Sequence, residues 1–439
     1  MNIPLFIGLL FILQFIYWFV GKRASKNVEG VKDYFLAGKN VAFFPLMMTF
    51  LATQVGGGVI LGSADEAYKY GWQVILYPLG AALGLMLLGL GVGKKLAQFP
   101  VSTVAEIFEW SYGSKKLKKV ASALSVISLF MILVAQIIAS SKFLTSMGFD
   151  NTVLFMIFLA IVIVYTTQGG LKAVISTDLV QAAFFSIIFI FTTGYVMWDT
   201  PVLAMPSQTM PEVSDKLYGW LLMPLLFMII EQDMAQRCFS GATPRIVSKA
   251  AFWAGVLTLI VCIAPIYFGT LASSIQLEIP KGGSVLMNTI IATTNPLISA
   301  LVGCAVIAAI ISTATSLINA ISSNLSNDFL EKKSNLKVAQ AITAVISVLA
   351  IFIAFTSDNI VDMLILSYEL SVSALFASIV MALIKKKGST RSAALSILFG
   401  MLGFFLFRAY PIIIPKEIAS IALSFLGFAL GAVRKYETV

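Results

Sequence analysis

Long apolar runs follow one another along this chain, and they restrict its fold more than any other property. The first run extends from Ile3 to Val20, and comparable runs recur throughout the 439 residues. A helix of about 20 apolar residues crosses the hydrocarbon core of a bilayer, where its backbone must satisfy its own hydrogen bonds. The charged fraction is 12%, which is about half of that usual in soluble proteins. The runs therefore predict an all-α polytopic membrane protein, with the lipid bilayer as its surroundings.

Thirteen transmembrane helices account for the pattern, and together they form a single transmembrane domain. A leader helix covers 3–21, two five-helix blocks cover 42–198 and 217–384, and two extra helices cover 389–433. The block helices are predicted at 42–63, 71–93, 119–146, 151–168 and 171–198, then at 217–239, 247–274, 297–328, 336–356 and 359–384, and the extra helices at 389–409 and 417–433.

The charge distribution sets the predicted orientation. With the N-terminus outside, most of the 30 lysines and arginines fall in the inner loops, as the positive-inside rule requires. Basic residues follow the first run, at Lys22 and Arg23, and none precedes it, whereas a cleaved signal peptide has the opposite order. We therefore expect an inner (plasma) membrane protein with a cytoplasmic C-terminus.

Three consecutive glycines, Gly56 to Gly58, stand near the middle of the run 42–63. Each glycine costs a helix about 1 kcal/mol relative to alanine, so this run is predicted to unwind. Unwound backbone at membrane depth must be buried in protein or line a wet cavity, and its free carbonyls suit a cation such as Na⁺. The alternative explanation is close helix packing through small residues.

Hydroxyl groups are concentrated in the helix predicted at 297–328. A single serine or threonine in a membrane helix usually bonds to its own preceding turn, but five polar residues here share one face because they are three or four positions apart. Beside an unwound segment, such hydroxyls would complete an oxygen shell for Na⁺. The five are Ser312, Thr315, Ser316, Asn319 and Ser323.

Acidic residues inside apolar runs need a partner or a role, because a carboxylate there costs about 2.5–3.5 kcal/mol. Asp178 is either an interfacial residue or the group that balances a bound cation. Asp233 is interpreted as structural, since Arg237 follows it by four residues and can pair with it. Glu231 is placed to meet the solute, and for Glu369 a structural hydrogen bond and a functional role both stay open.

Other function classes are disfavoured. The chain has no histidine, and its three cysteines are far apart. We find no nucleophile–base arrangement, phosphate loop or metal cluster, so we do not expect an enzyme. The net charge of +9 is spread over loops and reflects membrane topology rather than nucleic-acid binding.

The two five-helix blocks must have opposite orientations in the membrane, since each has an odd number of helices. Both open on a helix of unusual polarity: the glycine run in the first, and Glu231-Gln232-Asp233 in the second. This pattern is typical of inverted-repeat transporters whose site lies at the repeat interface.

Four stretches, taken together, resemble the sodium:solute symporter family of sugar, proline, sialic acid and choline carriers. They are Asp33-Tyr34-Phe35-Leu36-Ala37-Gly38, Ala52-Thr53-Gln54-Val55-Gly56-Gly57-Gly58, Gly169-Gly170-Leu171-Lys172-Ala173-Val174 with Thr177-Asp178-Leu179-Val180-Gln181, and Ile311-Ser312-Thr313 with Ser323-Asn324. Gln232-Asp233 with Gln236-Arg237 also fits. The resemblance implies a leucine-transporter-type 5+5 inverted-repeat fold and Na⁺-driven alternating access.

The resemblance also implies binding residues. The principal sodium site would use the carbonyls of Ala52, Val55 and Ala309 and the hydroxyls of Ser312 and Thr313. A possible further Na⁺ site would combine Asp178, Thr315 and Ser316. Gln54 and Glu231 stand where choline carriers have aromatic residues, so the solute class stays open. The side chains and backbone expected to face the solute are those of Gln54, Gly56, Gln73, Tyr77, Gln136, Glu231 and Tyr368.

These observations together predict a secondary active transporter. Its expected activity is Na⁺-coupled symport of a small polar organic solute, such as an amino acid, an organic amine or a sugar-like molecule. A proton-coupled carrier of the same fold would instead use Asp178 or Glu231 as its proton site. A sensor that binds solute without moving it is the remaining alternative.

Overall fold

The protein is built from helices throughout the residues that its computed structural model describes. These are residues 2–26, 28, 30–148, 152–199, 216–330, 336–353, 359–384, 388–410 and 412–433. Apart from one isolated bridge between Val41 and Gly241, the regular structure within these ranges is helical. The prediction of an all-α chain is confirmed.

The described residues of the first half of the chain form nine α-helices. They are α1 Ile3–Ser25, α2 Gly30–Leu36, α3 Phe43–Gln54, α4 Ser63–Tyr70, α5 Leu76–Leu87, α6 Gly93–Leu96, α7 Glu106–Tyr112, α8 Lys115–Ser146 and α9 Thr152–Asp199. Short 3₁₀ or π segments join several of them, at Ala37–Lys39, Gly58–Gly62, Gly71–Ile75 and Leu88–Val92.

The second half continues in the same way. Its helices are α10 Met223–Ile230, α11 Gln232–Ser240, α12 Pro244–Ser274, α13 Val285–Thr293, α14 Pro296–Asn324, α15 Leu336–Ile353, α16 Ile360–Leu383, α17 Thr390–Ala409 and α18 Lys416–Val433. The π segments Tyr218–Leu222 and Leu325–Leu330 precede α10 and follow α14.

Helix starts follow from local chemistry. Ser114, Ser284 and Asn359 each accept a hydrogen bond from the backbone N–H three residues on, which satisfies one of the donors that a helix start leaves free. Thr243 and Asn295 do the same with a proline following directly, where a missing N–H costs nothing.

Several predicted helices prove to be composite. The helices predicted at 151–168 and 171–198 form the single element α9, which is interrupted at Gly170, where φ is 55° and ψ is −153°. A Cβ at Gly170 would collide with the backbone of Tyr34, so this change of direction needs glycine. The helices predicted at 42–63, 71–93 and 217–239 are each divided into shorter segments, because glycines or an extended residue interrupt their hydrogen bonding.

Eight helical segments of the described chain are long and apolar enough to cross a membrane, by length and composition. The segments Phe43–Gln54 and Tyr218–Ile230 are apolar but too short to count alone, because each ends where a predicted helix breaks. The count of thirteen therefore stays a prediction. The eight are Ile3–Ser25, Gly58–Leu96, Lys115–Ser146, Gly169–Trp198, Pro244–Ser274, Pro296–Leu330, Ile360–Leu383 and Thr390–Ala409.

Helix α14 lies at the centre of the bundle. Every residue from Val302 to Asn324 is buried, and α14 packs against α3, α8 and α9. A membrane helix enclosed on all sides does not face lipid, so polar side chains on it can be paired within the protein. This position brings the hydroxyl-rich stretch of α14 against the break that follows α3.

Candidate functional site

The predicted break in the first helix of the first block is present. Helix α3 ends at Gln54, and Val55 has non-helical angles of φ −91° and ψ 73°. Helical structure resumes with the π segment Gly58–Gly62. The last carbonyls of α3 therefore lack the partners that a continuous helix would supply, at a position buried inside the protein.

The glycines beside the break are also required for close packing. A Cβ on Gly57 would lie 2.6 Å from Ile310 Cγ1 and 2.8 Å from Ala139 Cβ, both shorter than real contacts allow. A Cβ on Gly56 would collide with the Thr313 hydroxyl. Helix unwinding and close helix packing, the two interpretations of this run, therefore both apply. The same glycines interrupt the helix and allow α8 and α14 to pack closely against it.

Hydroxyls of α14 meet the free end of α3. Ser312 Oγ donates to the Ala52 carbonyl at 2.9 Å and lies 2.9 Å from the Ala309 carbonyl. Thr313 Oγ1 lies 3.1 Å from the Ala52 carbonyl and 3.0 Å from the Thr53 carbonyl. Four of the five predicted ligands, Ala52, Ala309, Ser312 and Thr313, therefore share one small volume, and Val55 lies at the break beside them.

This group of atoms can hold an alkali cation. It offers only carbonyl and hydroxyl oxygens, which are neutral hard ligands of the kind that coordinate Na⁺ at broken membrane helices. Ser312 is fully buried and Thr313 is 4% exposed, so a cation here would exchange water for these oxygens. The residues fit the ion that the sequence predicted.

Asp178 lies in a different arrangement from the one predicted. Its Oδ2 accepts a hydrogen bond from Thr49 Oγ1 at 2.6 Å and pairs with Arg237 Nη2 at 3.4 Å. Both side chains of the ion pair are completely buried. The Oδ1 atom of Asp178 has no hydrogen-bond partner.

The predicted ion pair between Asp233 and Arg237 is therefore wrong. Arg237 Nη1 donates to the backbone carbonyl of Asp233 at 2.9 Å, while Nη2 also donates to Ser316 Oγ at 2.6 Å. The reason is the fold: α11 crosses α3 and α14, so the guanidinium reaches Asp178 and Ser316 across the bundle. Thr315, the other residue of the possible further site, lies 3.0 Å from the Ser312 carbonyl in its own helix.

A second break, which the sequence analysis did not predict, separates α10 from α11. Glu231 is extended, with φ −68° and ψ 129°. The side chains of Glu231 and Asp233 interact with each other, and neither Glu231 Oε2 nor Asp233 Oδ2 has a hydrogen-bond donor among the described residues. The three-residue polar run Glu231-Gln232-Asp233 was the sequence signal for this break.

The two breaks border one small cavity of about 20 Å³. Every side chain of its lining is at most 6% exposed, so the cavity is closed to both sides. Six of the seven residues predicted to face the solute line it: Gln54, Gly56, Tyr77, Gln136, Glu231 and Tyr368. Its other lining residues are Thr53, Val59, Ile132, Asp233, Thr313, Leu317 and Leu364.

Two sequence interpretations differ from the arrangement around the cavity. Gln73 lies exposed on the 3₁₀ segment Gly71–Ile75 and is not part of the lining, because the chain turns there before α5 begins. Asp233, interpreted as purely structural, is part of the lining. The extended conformation of Glu231 turns the start of α11 toward the cavity.

Three other polar residues singled out in the sequence have partners away from the cavity. Asn319 Oδ1 accepts from Gln236 Nε2 at 3.0 Å, and Ser323 Oγ accepts from Asn327 Nδ2 at 3.1 Å. Glu369 forms ion pairs with Arg408 and Lys416, both at 3.0 Å. Glu369 therefore connects α16 to α17 and α18. Of the two roles that the sequence left open for Glu369, these contacts favour the structural one.

Comparison with known proteins identifies similar sequences over most of the chain. Residues 34–400 match the model of the sodium:solute symporter family. The chain is 27% identical over 208 residues to the sodium/pantothenate symporter of Haemophilus influenzae, covering 45% of this chain and 43% of that protein. It is 26% identical over 273 residues to the high-affinity choline transporter 1 of Caenorhabditis elegans, covering 57% and 46%. The aligned segment spans less than half of either relative.

Solved structures share the fold at low sequence identity. A Na⁺-coupled sialic acid symporter in a substrate-bound outward-open state superposes with a TM-score of 0.75 at 18% identity, covering 98% of both chains. The transporter MhsT in complex with L-phenylalanine gives 0.58 at 14% identity, covering 90% of this chain and 98% of that one. Both comparisons establish a similar helical fold.

Proposed function

Because the chain belongs to the sodium:solute symporter family, we propose that it couples Na⁺ entry to the symport of a small polar organic solute. The observation that carries this proposal is the junction of the α3 break with α14, where Ala52, Ser312 and Thr313 bring their oxygens together. The solutes named for two of its relatives, pantothenate and choline, differ in charge, so the family alone leaves the solute open.

The proposed sodium ligands are the carbonyls of Ala52, Val55 and Ala309 and the hydroxyls of Ser312 and Thr313. Their support is that the Ser312 hydroxyl lies within hydrogen-bonding distance of the Ala52 and Ala309 carbonyls, and the Thr313 hydroxyl of the Ala52 carbonyl. A further Na⁺ at Asp178, Thr315 and Ser316 stays a prediction. It would have to use Asp178 Oδ1, since Arg237 already brings a positive charge to Oδ2.

The proposed solute site is the closed cavity between the two breaks. It adjoins the proposed sodium site through Thr313, which contributes to both. A cation at the proposed sodium site stabilises the conformation in which α3 and α14 lie together. The solute binds to the same conformation. Each ligand thereby favours one state of the transporter, which is the requirement for coupling.

The proposed topology keeps thirteen spans, with α1 as the leader, blocks 42–198 and 217–384 as inverted repeats, and 389–433 as two extra helices. Its support is the position of the breaks: the first helix of each block is interrupted, after Gln54 and at Glu231. We propose an inner (plasma) membrane location with the N-terminus outside and the C-terminus cytoplasmic.

A second candidate is a proton-coupled carrier of the same fold. The observation that favours it is the contact between the side chains of Glu231 and Asp233. Two neighbouring buried carboxyl groups can share one proton, and a cycle could bind that proton on one side and release it on the other. Na⁺ would then have no specific effect.

Thermal stability of the purified protein in NaCl against KCl, at equal ionic strength and neutral pH, tests the proposed function. We expect specific stabilisation by Na⁺, which follows RT ln(1 + [L]/Kd) and reaches about 2.7 kcal/mol at a hundredfold excess over Kd. Ser312→Ala or Thr313→Ala should raise the Na⁺ requirement several-fold. Ser322→Ala is the matched control, since its hydroxyl bonds only the Ile318 carbonyl of its own helix.

Three outcomes decide between the candidates. A Na⁺ effect that is lost in Ser312→Ala and kept in Ser322→Ala supports the symporter. Equal Na⁺ dependence in all variants removes α14 from the sodium site. The absence of a Na⁺ effect, together with stabilisation as the pH falls, favours the proton-coupled carrier.

A further inference from the structure

The acidic groups of the cavity have no basic counterpart among the described residues of its lining. Glu231 is 6% exposed and Asp233 is 1% exposed, and the described lining residues include no lysine or arginine. Glu231 Oε2 and Asp233 Oδ2 are left without hydrogen-bond donors. A buried carboxylate without partners is costly, so this pair needs something that the described part of the chain does not supply.

The nearest guanidinium is already engaged elsewhere. All three nitrogen atoms of Arg237 make hydrogen bonds: Nε to Thr49, Nη1 to the Asp233 carbonyl, and Nη2 to Asp178 and Ser316. The carboxylate in direct contact with it is that of Asp178, while Glu231 and Asp233 feel its charge only from a greater distance. Counting Asp178, Glu231 and Asp233 against Arg237, the centre carries two excess negative charges when all groups are ionised. One Na⁺ at the proposed site leaves one of them unbalanced.

A second observation points to a ligand with N–H groups. The side-chain amide of Gln54 lines the cavity and makes no hydrogen bond to the described residues, although Gln54 is only 6% exposed. Tyr368 also faces the cavity and stacks on Phe227, with ring centroids 4.5 Å apart. Carboxylate and amide oxygens accept hydrogen bonds from N–H groups, and an aromatic ring attracts a cation that has such groups.

Resting on the proposed symport, we propose that the solute is a small organic cation with a primary ammonium group, which Glu231 and Asp233 bind in the central cavity. An ammonium supplies the N–H donors that the free carboxylate oxygens lack and the positive charge that the centre lacks. A neutral polyol could donate hydrogen bonds but would leave the charge unbalanced. A quaternary ammonium would balance the charge but has no N–H group to donate.

The small volume and the negative charge of the cavity disfavour other classes of solute. In this closed form the cavity measures only about 20 Å³, which is room for about one water molecule, so it must widen to admit a solute and favours a compact amine. An anionic solute would face two carboxylates in a medium of low dielectric constant, where like charges repel strongly. The proposed solute thus differs in charge from the pantothenate named for one relative.

A series of four-carbon and related probes that differ mainly in charge tests the assignment. The probes are 4-aminobutan-1-ol, 1,4-butanediol, 4-hydroxybutyrate and choline, each added to the purified protein in NaCl and in KCl at pH 7. An alkyl ammonium is fully charged at this pH. We expect 4-aminobutan-1-ol to raise the melting temperature in NaCl only, with no shift from the diol or the anion and a smaller shift from choline.

Variants of the carboxylates give an independent readout. Glu231→Gln and Asp233→Asn should each weaken the response to 4-aminobutan-1-ol by about ten- to a hundredfold in concentration, as expected for a lost charged hydrogen bond. Glu369→Gln is the matched control, because this buried acid pairs with Arg408 and Lys416 away from the cavity. If a cavity variant fails to fold, the probe series on the unmodified protein still decides.

The outcomes separate the solute class from the transport mechanism. A Na⁺-dependent response to the diol or the anion, or no response to 4-aminobutan-1-ol in a protein that Na⁺ stabilises, overturns the cation assignment and leaves the symporter intact. A response to the diol that grows as the pH falls also overturns it, because the carboxyl pair would then hold a proton instead. If Na⁺ itself has no effect, the symport proposal fails, whichever probe binds.

Discussion

At the residue scale, the buried pair of Asp178 and Arg237 decides how charge is arranged at the centre. The guanidinium joins α11 to α3, α9 and α14 through Thr49, Asp178 and Ser316. A buried ion pair adds little net stability compared with apolar residues, but removing one partner leaves an uncompensated charge. The folded protein therefore needs the Asp178 carboxylate to balance the charge of Arg237, whether or not Asp178 also contacts a cation.

We expect Asp178→Ala to destabilise the protein by about 3–5 kcal/mol, because the guanidinium of Arg237 loses its counter-charge. The double variant Asp178→Ala/Arg237→Met should recover part of this loss. Thermal and denaturant unfolding measure the effect, with Asp362→Ala as the control, since Asp362 is exposed. A single variant as stable as that control would mean that Glu231 or Asp233 balances Arg237 instead.

At the element scale, the break between α3 and the π segment Gly58–Gly62 depends on residues without side chains. Gly57 N donates to Gln136 Oε1 at 2.8 Å, so α8 replaces a hydrogen bond that the unwound helix has lost. Gly57 also lies against α8 and α14 more closely than any other residue type would allow. The break is thus a property of three packed helices, although glycine makes it possible.

Gly57→Leu should abolish transport while the protein still inserts into the membrane, because the added side chain would displace Ile310 and Ala139. Uptake into proteoliposomes, together with the amount of protein in the membrane, measures this. Gly194→Leu is the control, since a Cβ there meets nothing within 4 Å. Normal uptake by Gly57→Leu would show that the close approach of the helices is dispensable.

At the scale of the whole molecule, the structure is a closed form, with ionic contacts across one end of the bundle. Lys142 of α8 pairs with Asp65 of α4 at 2.7 Å, and Asp65 Oδ1 accepts from the Val285 N–H at 3.0 Å. Val285 is the first residue of the short helix α13 Val285–Thr293. Asp65 thereby connects this helix to α4 and to α8, which borders the cavity through Ile132 and Gln136.

Lys142→Met should open the cavity from this end, because the contact between α4 and α8 loses its charge pair. Labelling of Val59→Cys, a cavity residue that is 3% exposed, by a membrane-impermeant thiol reagent measures the opening. The three native cysteines are buried and should be replaced by alanine first. We expect labelling several-fold faster than in the parent protein.

Lys69→Met serves as the control for this experiment, since the Lys69 side chain is 55% exposed and pairs within its own helix with Glu66. An exposed pair of this kind contributes little, so labelling should stay at the parent rate. Equal rates in Lys142→Met and Lys69→Met would show that the ion pair between Lys142 and Asp65 does not keep the cavity closed.

Properties that act along the chain could be predicted from the sequence. Apolar runs determine that the chain enters a bilayer, because each residue contributes its own transfer free energy. The low helix propensity of glycine weakens the helix at Gly56 to Gly58, whatever surrounds it. The 3.6-residue period of a helix places Ser312, Thr315 and Ser316 on one face. The break and the oxygen-rich face therefore followed from local sequence alone.

Only the tertiary structure decided which distant groups meet. Arg237 pairs with Asp178 rather than Asp233, because helices far apart in sequence cross at that point, and local spacing carries no information about it. The same packing turns Asp233 into the cavity and leaves Gln73 outside. Burial and charge balance are properties of the assembled bundle, so the acidic character of the cavity emerged only once α3, α8, α10, α11 and α14 were placed together.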